Sequence, residues 1–396
     1  MRIAVVLGEF PKLSETFVIE QITGLLERGH DVRIFAFRRS GEALAQAAIS
    51  RHALLERTSY LTPAGLREKL AGVPAALGFA VTHPRSLRYP RALALRAAHG
   101  ARGSFDVIYC HFGHVADEAR RLRAAGLFSG PLVAVFHGFD VSVWPGFKQG
   151  YTYAPLFREA RRLLPISEYW RDRLVAMGAE PAKVEVLRMG VDCGALKFRT
   201  RSIAEAEPLQ LVSIGRLVEK KGTAYAIRAI ARAQRTLDRP LHYHIVGDGP
   251  LRDELVALAR SENIERCVTF HGPRRFDEIV ALLEGMHVLL APSVTAANKD
   301  MEGIPMVLME AMAQGLPVIS TFHSGIPELV NHGETGYLVA ERDSDALAAA
   351  IVSLARTPED WPRLTRNARN EVERDFNAAR LGEQLERVLL DASLKT

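Results

Sequence analysis

Short apolar runs alternate with longer amphipathic stretches along almost the whole chain of 396 residues. In the first half, residues 2–7, 31–37, 106–110, 132–136, 163–166 and 184–187 are typical of buried strands, and helix-like segments separate most of them. Strands that alternate with helices predict parallel sheets joined by right-handed crossovers. The sequence therefore predicts an α/β protein built on parallel sheets.

The length of the chain exceeds one ordinary hydrophobic core and suits two domains of about 200 residues each. A stretch rich in Ala, Arg and Glu, residues 192–208, is the predicted link between them. We expect an N-terminal domain over 1–195, a C-terminal domain over 196–375, and a final helix over 376–396 that crosses back to the first domain. Helical patterns over 343–356 and 358–390 close the chain.

Composition indicates a soluble globular protein, with 48% hydrophobic and 24% charged residues. No apolar run approaches the roughly 18 residues needed to cross a bilayer. The opening run is too short and too quickly polar for a signal peptide. The three cysteines, Cys110, Cys193 and Cys267, are far apart and form no C-x-x-C pair, so disulfides and a zinc site are not expected. The predicted location is the cytoplasm.

Positive charge is concentrated in the first half. Residues 1–200 carry 28 Lys and Arg against 18 Asp and Glu, a net of +10, whereas residues 201–396 carry 23 against 28. Between positions 69 and 105 there is no acidic residue, and the six cations are Lys69, Arg85, Arg88, Arg91, Arg96 and Arg102. Apolar residues lie among them, a pattern that fits an anionic membrane surface but also an ordinary solvated helix face. No recognition-helix or aromatic-studded pattern indicates nucleic acid.

Two carboxylates, Glu302 and Glu310, lie eight residues apart in the run EGIPMVLME. Proline is favoured in the first turn of a helix, so Pro305 predicts a helix that begins near Ile304. Glu302 then precedes the helix and Glu310 lies about two turns inside it. A helix N-terminus carries free N–H groups and partial positive charge, which favour a phosphate. A lone pair of this spacing is weak evidence, and its weight depends on what precedes it.

The segment before it places two cations at the end of a strand. Residues 211–214 are apolar and β-branched, and Gly-Arg and a basic loop follow in the run GRLVEKKG. Arg216 and Lys221 would project from the carboxyl edge of a parallel sheet, where α/β proteins bind ligands. Two cations there can neutralise the charge that develops on a departing diphosphate. A solvated surface turn is the alternative for such a loop taken alone.

Later strand-like runs also end in candidate ligand contacts. Residues 242–246 lead into Gly247, residues 268–272 end in His271 and Gly272, and residues 288–291 lead into Pro292 and Ser293. In the first half, the strand at 132–136 delivers His137 within the run HGFD. His111 and His114 also follow a strand and are secondary candidates. A histidine satisfied by a backbone carbonyl is the alternative for each.

These motifs resemble the family-4 retaining glycosyltransferases of GT-B fold. The matching segments in the second half are GRLVEKKG, IVGDGP, FHG, APS and EGIPMVLMEAMAQGLPVIST, followed by GIPELV and GETGYLV. The early run EFPKLSETFVIEQI is similar to the branch that builds bacterial exopolysaccharides of the colanic-acid or amylovoran type. The resemblance implies two Rossmann-like domains that face each other across a cleft. Many family members carry a Gly-Gly loop after the first strand, whereas here Glu9 follows Gly8.

The resemblance also implies a reaction and roles for the residues. A hexose would move, with retention, from a nucleotide diphosphate sugar to a growing, lipid-linked polysaccharide; UDP-hexose is the first expected donor and GDP-mannose the second. His137 and Glu302 would contact the transferred sugar, Glu310 the ribose, and Arg216 and Lys221 the diphosphate. The full donor-binding set that we predict is Gly8, Arg216, Lys221, Gly247, His271, Gly272, Ser293, Gly303, Ile304, Pro305 and Glu310. No cofactor or metal is expected.

Three alternatives remain at this level. A non-hydrolysing nucleotide-sugar 2-epimerase shares the GT-B fold and would act on the donor without an acceptor. A dinucleotide-dependent dehydrogenase would need G-x-G-x-x-G after the first strand, where this chain has Gly8-Glu-Phe-Pro-Lys12. A catalytically silent glycan-binding protein would not need both cations and both glutamates.

Overall fold

The computed structural model describes residues 1–12, 15–40, 47–61, 73–146, 150–205 and 207–394. The chain divides into two compact units. The first comprises Met1–Ile166, Trp170–Leu187 and Ala379–Thr396, and the second comprises Ser167–Tyr169 and Arg188–Ala378. Each unit is built on its own parallel sheet.

The first unit has a six-stranded parallel sheet in the order β3-β2-β1-β4-β5-β6. Its strands are β1 Arg2–Phe10, β2 Asp31–Arg39, β3 Thr58–Tyr60, β4 Val107–His111, β5 Leu132–Phe136 and β6 Arg162–Pro165. Every residue of β4 and β5 is buried, because helices cover both faces of a central parallel strand. The order reverses between β1 and β4, and the loops that follow these two strands part at that point.

Helices of the first unit connect these strands in the crossovers that a parallel sheet requires. The α-helices described there are Thr16–Glu27, Ala47–Arg51, Val73–Thr82, Pro90–His99, Gly113–Ala124, Phe139–Ser142, Ala154–Glu159, Glu168–Ala176 and Ala378–Ser393. Apart from the first residues of Glu168–Ala176 and of Ala378–Ser393, they belong to this unit. The last helix contacts the N-terminal part of the unit, since a carboxylate oxygen of Glu386 lies 2.8 Å from Nε2 of His30 and the other lies 3.5 Å from Nε of Arg28.

The second unit repeats the same topology in the order β12-β11-β10-β7-β8-β9. Its strands are β7 Leu209–Ile214, β8 Leu241–Val246, β9 Val268–Gly272, β10 Val288–Ala291, β11 Val318–Thr321 and β12 Tyr337–Val339. Its α-helices are Thr223–Thr236, Arg252–Ser261, Phe276–Glu284, Met306–Ala313, Ser344–Arg356 and Trp361–Asp375. The order reverses between β7 and β10, which is where an open α/β sheet binds its ligand.

The predicted α/β class with two Rossmann-like parallel sheets is confirmed. Some elements differ from expectation. The first strand continues to Phe10, so Gly8 lies inside β1 rather than in a loop after it. Residues 184–187 form no strand, and Val184 makes only an isolated bridge to Leu163. The predicted helix over 358–390 is two helices, Trp361–Asp375 and Ala378–Ser393. Lys69 lies outside the described residues.

Candidate active site

The loops that follow β7 and β10 meet at the switch point of the second sheet. Gly222 closes the loop after β7 in a left-handed conformation with φ of +66°. A Cβ on Gly222 would lie 1.8 Å from the carbonyl oxygen of Pro292, in the loop after β10. Gly247 is equally constrained, since its Cβ would lie 2.0 Å from the carbonyl oxygen of Gly215. Glycine therefore lets three strand-end loops pack backbone against backbone here.

Glu302 is the centre of a buried cluster of charges. Its Oε2 lies 2.9 Å from Nζ of Lys221, and its Oε1 lies 3.3 Å from Nζ of Lys220. Lys220 also contacts Oδ1 of Asp300 at 3.1 Å. Burial raises the pKa of Glu302, but the charges and hydrogen bonds of Lys221 and Lys220 outweigh it and hold that pKa at about 2. Glu302 is therefore a fixed anion at neutral pH and has no proton to donate.

Arg216 differs from the two lysines in being exposed. Within the described ranges it makes no salt bridge, whereas Lys220 and Lys221 share their charges with acidic neighbours. Arg216 lines an open recess together with Lys221, Ser293 and Pro305. The recess therefore offers one unshared guanidinium and one ammonium already engaged by Glu302.

The helix Met306–Ala313 begins beside the same recess, since Pro305 and Val307 also line it. The predicted start near Ile304 is wrong by two residues, because Pro305 is extended with ψ of 125° and acts as the N-cap. No side chain caps this end. The first N–H groups of a helix have no partner within it, so this end is available to a phosphate oxygen.

Glu310 lies inside that helix without a cation in salt-bridge range among the residues that the structure describes. Burial raises its pKa to about 7. A buried carboxylate in this condition is stabilised by hydroxyl donors, because hydrogen bonds to the charged form offset the desolvation. The two carboxylates of the E-x7-E run thus have opposite electrostatics, since Glu302 is held charged and Glu310 is held close to half protonation at neutral pH.

His271 is linked to two other polar side chains at the edge of the sheet. Its Nε2 lies 2.9 Å from Nδ1 of His244, whose Nε2 lies 2.8 Å from Oε1 of Gln210. The next residue, Gly272, has φ of +68°, and a Cβ there would meet no atom within 4 Å. Open space therefore adjoins the backbone at the end of β9.

His137 follows β5 in the first unit, among other rings. Its Nε2 lies 3.1 Å from Nδ1 of His111, and the rings of Phe17 and Phe112 lie 4.9 and 4.4 Å from its own. Burial, and then the charges of His111 and His114, lower the pKa of His137 well below its usual value. His137 is therefore a neutral imidazole at working pH.

Asp140 fixes the backbone around His137. Its Oδ1 accepts hydrogen bonds of 2.9 Å from the N–H groups of His137 and Gly138, and its Oδ2 accepts one of 2.7 Å from Gly113. Burial raises the pKa of Asp140 to about 6 against these three bonds. One carboxylate thus joins the ends of β4 and β5.

Comparison with known proteins identifies the family. The model of glycosyltransferase family 4 matches residues 14–195, and the model of glycosyl transferases group 1 matches residues 197–371. A putative colanic acid biosynthesis glycosyltransferase, WcaL of Salmonella typhimurium, is 38% identical over 98% of this chain and 99% of its own. The chain belongs to glycosyltransferase family 4. The amylovoran biosynthesis glycosyltransferase AmsK of Erwinia amylovora is 37% identical to this glycosyltransferase over 96% of the chain and 97% of its own.

The fold of the glycosyltransferase is shared with solved structures. The Anabaena protein Alr3699/HepE, crystallised in complex with UDP and glucose, superposes with a TM-score of 0.73 at 20% identity, covering 98% of this chain and 99% of that one. The GT-B class expected from the sequence is thereby confirmed. Nothing in these comparisons supports the epimerase. No helix in the described part of the glycosyltransferase is long and apolar enough to cross a membrane.

The structure brings most of the predicted donor-side residues of this glycosyltransferase to one edge of the second sheet. Arg216, Lys221, Ser293 and Pro305 line a single recess, and Lys221 contacts Glu302. Gly303 and Ile304 lie between Glu302 and the helix, with Ile304 buried.

Sequence reasoning missed two residues in these sites. Lys220 is the first lysine of the run KKG and is 8% exposed, but nothing in the sequence separates it from Lys221. Asp140 lies in the run HGFD, three residues after the candidate His137. That spacing could have indicated a carboxylate that fixes the backbone around the histidine.

Proposed function

We propose that this glycosyltransferase moves a hexose from a nucleotide diphosphate sugar to a growing polysaccharide with retention at the anomeric carbon. The observation that carries the proposal is the contact of Glu302 with Lys221 beside an uncapped helix N-terminus. A carboxylate that accepts from sugar hydroxyls and a cation that receives a diphosphate are thereby joined in one hydrogen-bonded unit. That pair matches a molecule in which a sugar is bonded to a diphosphate.

In the proposed reaction the bond between the anomeric carbon and the diphosphate breaks first, through an oxocarbenium-like transition state. The acceptor hydroxyl then bonds to that carbon on the same face, and its proton leaves with the diphosphate. Arg216, Lys221 and the N–H groups at Met306 would stabilise the departing charge. Glu302 would hold the sugar hydroxyls as a permanent anion. No protein carboxylate serves as a nucleophile, in contrast to retaining glycoside hydrolases.

The remaining donor contacts that we propose are those implied by the family resemblance. Glu310 would accept hydrogen bonds from the ribose, and the base would rest against the backbone at His271 and Gly272. His137 would contact the transferred sugar from the first unit. We propose UDP-hexose as the first donor and GDP-mannose as the second; the UDP and glucose bound by the Anabaena protein favour that order.

Arg216, Lys221 and the helix end would also make a metal unnecessary. Full turnover in excess chelator supports this metal-free scheme. Loss of activity in chelator, restored by magnesium or manganese, would overturn it.

The acceptor that we propose is a lipid-diphosphate-linked oligosaccharide of an exopolysaccharide, at the inner face of the plasma membrane. Its support is the similarity over the whole chain to relatives named for colanic acid and amylovoran biosynthesis. The test is to incubate the protein with a panel of nucleotide sugars, with and without lipid-linked acceptor, and to measure free UDP or GDP and the anomeric configuration of the product. Nucleotide release that requires the acceptor supports the transferase, whereas a 2-epimerised donor without acceptor supports the epimerase.

We also propose that a surface patch of the first unit binds anionic lipid. Its apolar members are Leu77, Val81 and Leu87, which are 60%, 82% and 60% exposed. Arg85 and Arg88 are exposed in the same segment, and no salt bridge engages them in the described ranges. Cations beside an apolar surface fit phospholipid headgroups above acyl chains.

Two of the six cations identified in the sequence, Arg96 and Arg102, are not part of this patch. Arg96 lies over the ring of Phe79 with 5.7 Å between guanidinium carbon and ring centre, and Arg102 contacts Nδ1 of His99 at 3.4 Å. Their charges are engaged within the unit. Arg91 retains only a 3.9 Å approach to Glu118.

A further inference from the structure

His323 lies two residues after β11 and is completely buried. Both of its ring nitrogens have partners. Nε2 lies 3.0 Å from the backbone nitrogen of Glu302, and Nδ1 lies 2.6 Å from Oε1 of Glu341. No other residue of the described chain is in hydrogen-bond contact with the backbone N–H of Glu302.

These contacts fix where the imidazole carries its proton. A backbone N–H can only donate, so Nε2 of His323 must be a bare acceptor towards Glu302. Nδ1 then carries the hydrogen and donates it to the Glu341 carboxylate. A carboxylate that selects one tautomer of a histidine, and through it the group that the other nitrogen faces, is a recurrent arrangement in functional sites.

Glu341 is itself anchored to the loop that leads to Glu302. Its Oε2 accepts a hydrogen bond of 2.8 Å from the backbone N–H of Thr295, and its Oε1 lies 3.3 Å from the Thr295 hydroxyl. Burial raises the pKa of Glu341, but the bonds from Thr295 and His323 outweigh it and the pKa is lowered. The Glu341 carboxylate is thus held as an anion. It contacts the start of the loop 295–302 directly at Thr295, and the end of the loop through His323.

We infer that His323 and Glu341 form a positioning pair that sets the backbone at Glu302. His323 accepts the hydrogen bond from the backbone N–H of Glu302, while Lys220 and Lys221 bind the Glu302 carboxylate. Gly303, Ile304 and the helix end follow directly in the chain, so the same bond aligns the proposed diphosphate contacts. The inference rests on the proposed role of Glu302, and neither His323 nor Glu341 touches substrate.

Two substitutions of His323 separate its two hydrogen bonds. The amide of Asn reaches the position of Nδ1, so His323→Asn keeps a donor for Glu341 and leaves the Glu302 N–H without an acceptor. The longer Gln reaches the position of Nε2, so His323→Gln restores an acceptor for that N–H. We expect kcat to fall on the order of 10- to 100-fold in His323→Asn and to recover in His323→Gln. His242→Asn, at an exposed histidine of the same unit, is the matched control and should be neutral.

The affinity for UDP and GDP, measured by calorimetry, separates positioning from general damage. Arg216 and Glu310 do not contact the pair, so nucleotide affinity should change far less than kcat. Heteronuclear NMR of the wild-type imidazole nitrogens should show the proton on Nδ1 and none on Nε2. That spectrum needs no variant and remains decisive if His323→Asn does not fold.

Three results would overturn the inference: a proton on Nε2 in the folded wild type, wild-type kcat in folded His323→Asn, or equal losses in the Asn and Gln variants. Glu302→Gln distinguishes this failure from failure of the proposed function. An inactive Glu302→Gln with a fully active His323→Asn rejects the positioning pair alone. A fully active Glu302→Gln rejects the role of Glu302 itself.

Discussion

Nζ of Lys221 lies 2.9 Å from Oε2 of Glu302, so the cation proposed for the diphosphate is also the counter-ion of the carboxylate proposed for the sugar. Arg216 has no such second task among the residues described. Motion of the diphosphate away from the sugar would therefore change the contact between Lys221 and Glu302. The two cations, which the sequence presents as equivalent, are distinct in the structure.

The first prediction separates them. Arg216→Ala and Lys221→Ala should each lower turnover on the order of 100-fold or more, because each faces charge that develops in the transition state. Only Lys221→Ala should lower thermal stability, by about 1–3 kcal/mol, because it removes one partner of a buried anion. Equal melting temperatures for the two variants would show that the contact between Lys221 and Glu302 contributes nothing to folding.

Glu302→Gln should lower kcat on the order of 10- to 100-fold, because a hydrogen bond to a buried charge contributes roughly 1.5–3 kcal/mol. Its acid behaviour provides a second readout. The pKa of Glu302 is depressed to about 2, so this carboxylate stabilises the fold above its usual pKa and the contribution disappears as the pH falls towards 2.

Urea unfolding at several pH values checks this effect. The wild type should lose on the order of 3 kcal/mol more than Glu302→Gln over that range. Near-wild-type transfer by a folded Glu302→Gln protein would contradict its assigned role, and parallel stability profiles would contradict its low pKa.

Glu310→Gln should show the opposite pattern. The raised pKa of about 7 means that the folded protein binds a proton more tightly than the unfolded chain, so its stability falls as pH rises between the usual carboxyl range and 7. Removing this charge should therefore stabilise the free protein at pH values above 7, by up to about 3 kcal/mol.

The same substitution should weaken donor binding, because the neutral amide is a poorer acceptor for ribose hydroxyls than a carboxylate. In the wild type, nucleotide binding near neutral pH should release protons, which calorimetry in buffers of different ionisation enthalpy detects. Binding without proton release, or a less stable Glu310→Gln, would contradict the proposed contact.

Much of the fold can be predicted from the sequence, because strands buried on both faces of a parallel sheet are continuous apolar runs. Val268–Gly272 and Val288–Ala291 begin and end where their patterns predict. The start of Met306–Ala313 was misplaced because proline also suits the extended N-cap position that Pro305 takes. The prediction of a strand over 184–187 was wrong because this segment at the sheet edge makes only an isolated bridge from Val184 to Leu163 and two backbone hydrogen bonds to β6.

The site was less predictable because its electrostatics depend on contacts across the sequence. Lys220 and Glu302 are separated by 82 positions in the chain and meet only where β7 and β10 lie side by side. The tautomer of His323 likewise depends on Glu341, from a later loop. The expectation that ligands bind at the carboxyl ends of parallel strands locates such residues. It cannot say which cation pairs with an acidic side chain and which does not.

The last prediction concerns the lipid-binding patch. The wild type should sediment with vesicles rich in phosphatidylglycerol, but little with neutral vesicles. Roughly 0.5 M salt should release it, because screening then acts within a few ångströms. Arg85→Glu/Arg88→Glu should abolish sedimentation, since each cation near an anionic surface contributes about 1 kcal/mol and each replacement reverses a charge. Leu77→Ser/Val81→Ser should weaken binding and make the remainder more sensitive to salt, because only the electrostatic part is left.

Arg38→Glu/Arg51→Glu is the matched control for this experiment. Both arginines are exposed in the first unit and free of salt bridges in the described ranges, so the variant makes the same change in net charge at positions outside the segment that carries the patch. It should sediment nearly as well as the wild type. With an acceptor supplied in solution rather than in vesicles, all variants should release nucleotide from the donor at the wild-type rate. Equal loss of binding in this control and in Arg85→Glu/Arg88→Glu would show that net charge, rather than the patch, draws the protein to lipid. Undiminished binding in Arg85→Glu/Arg88→Glu would leave those arginines as an ordinary solvated surface.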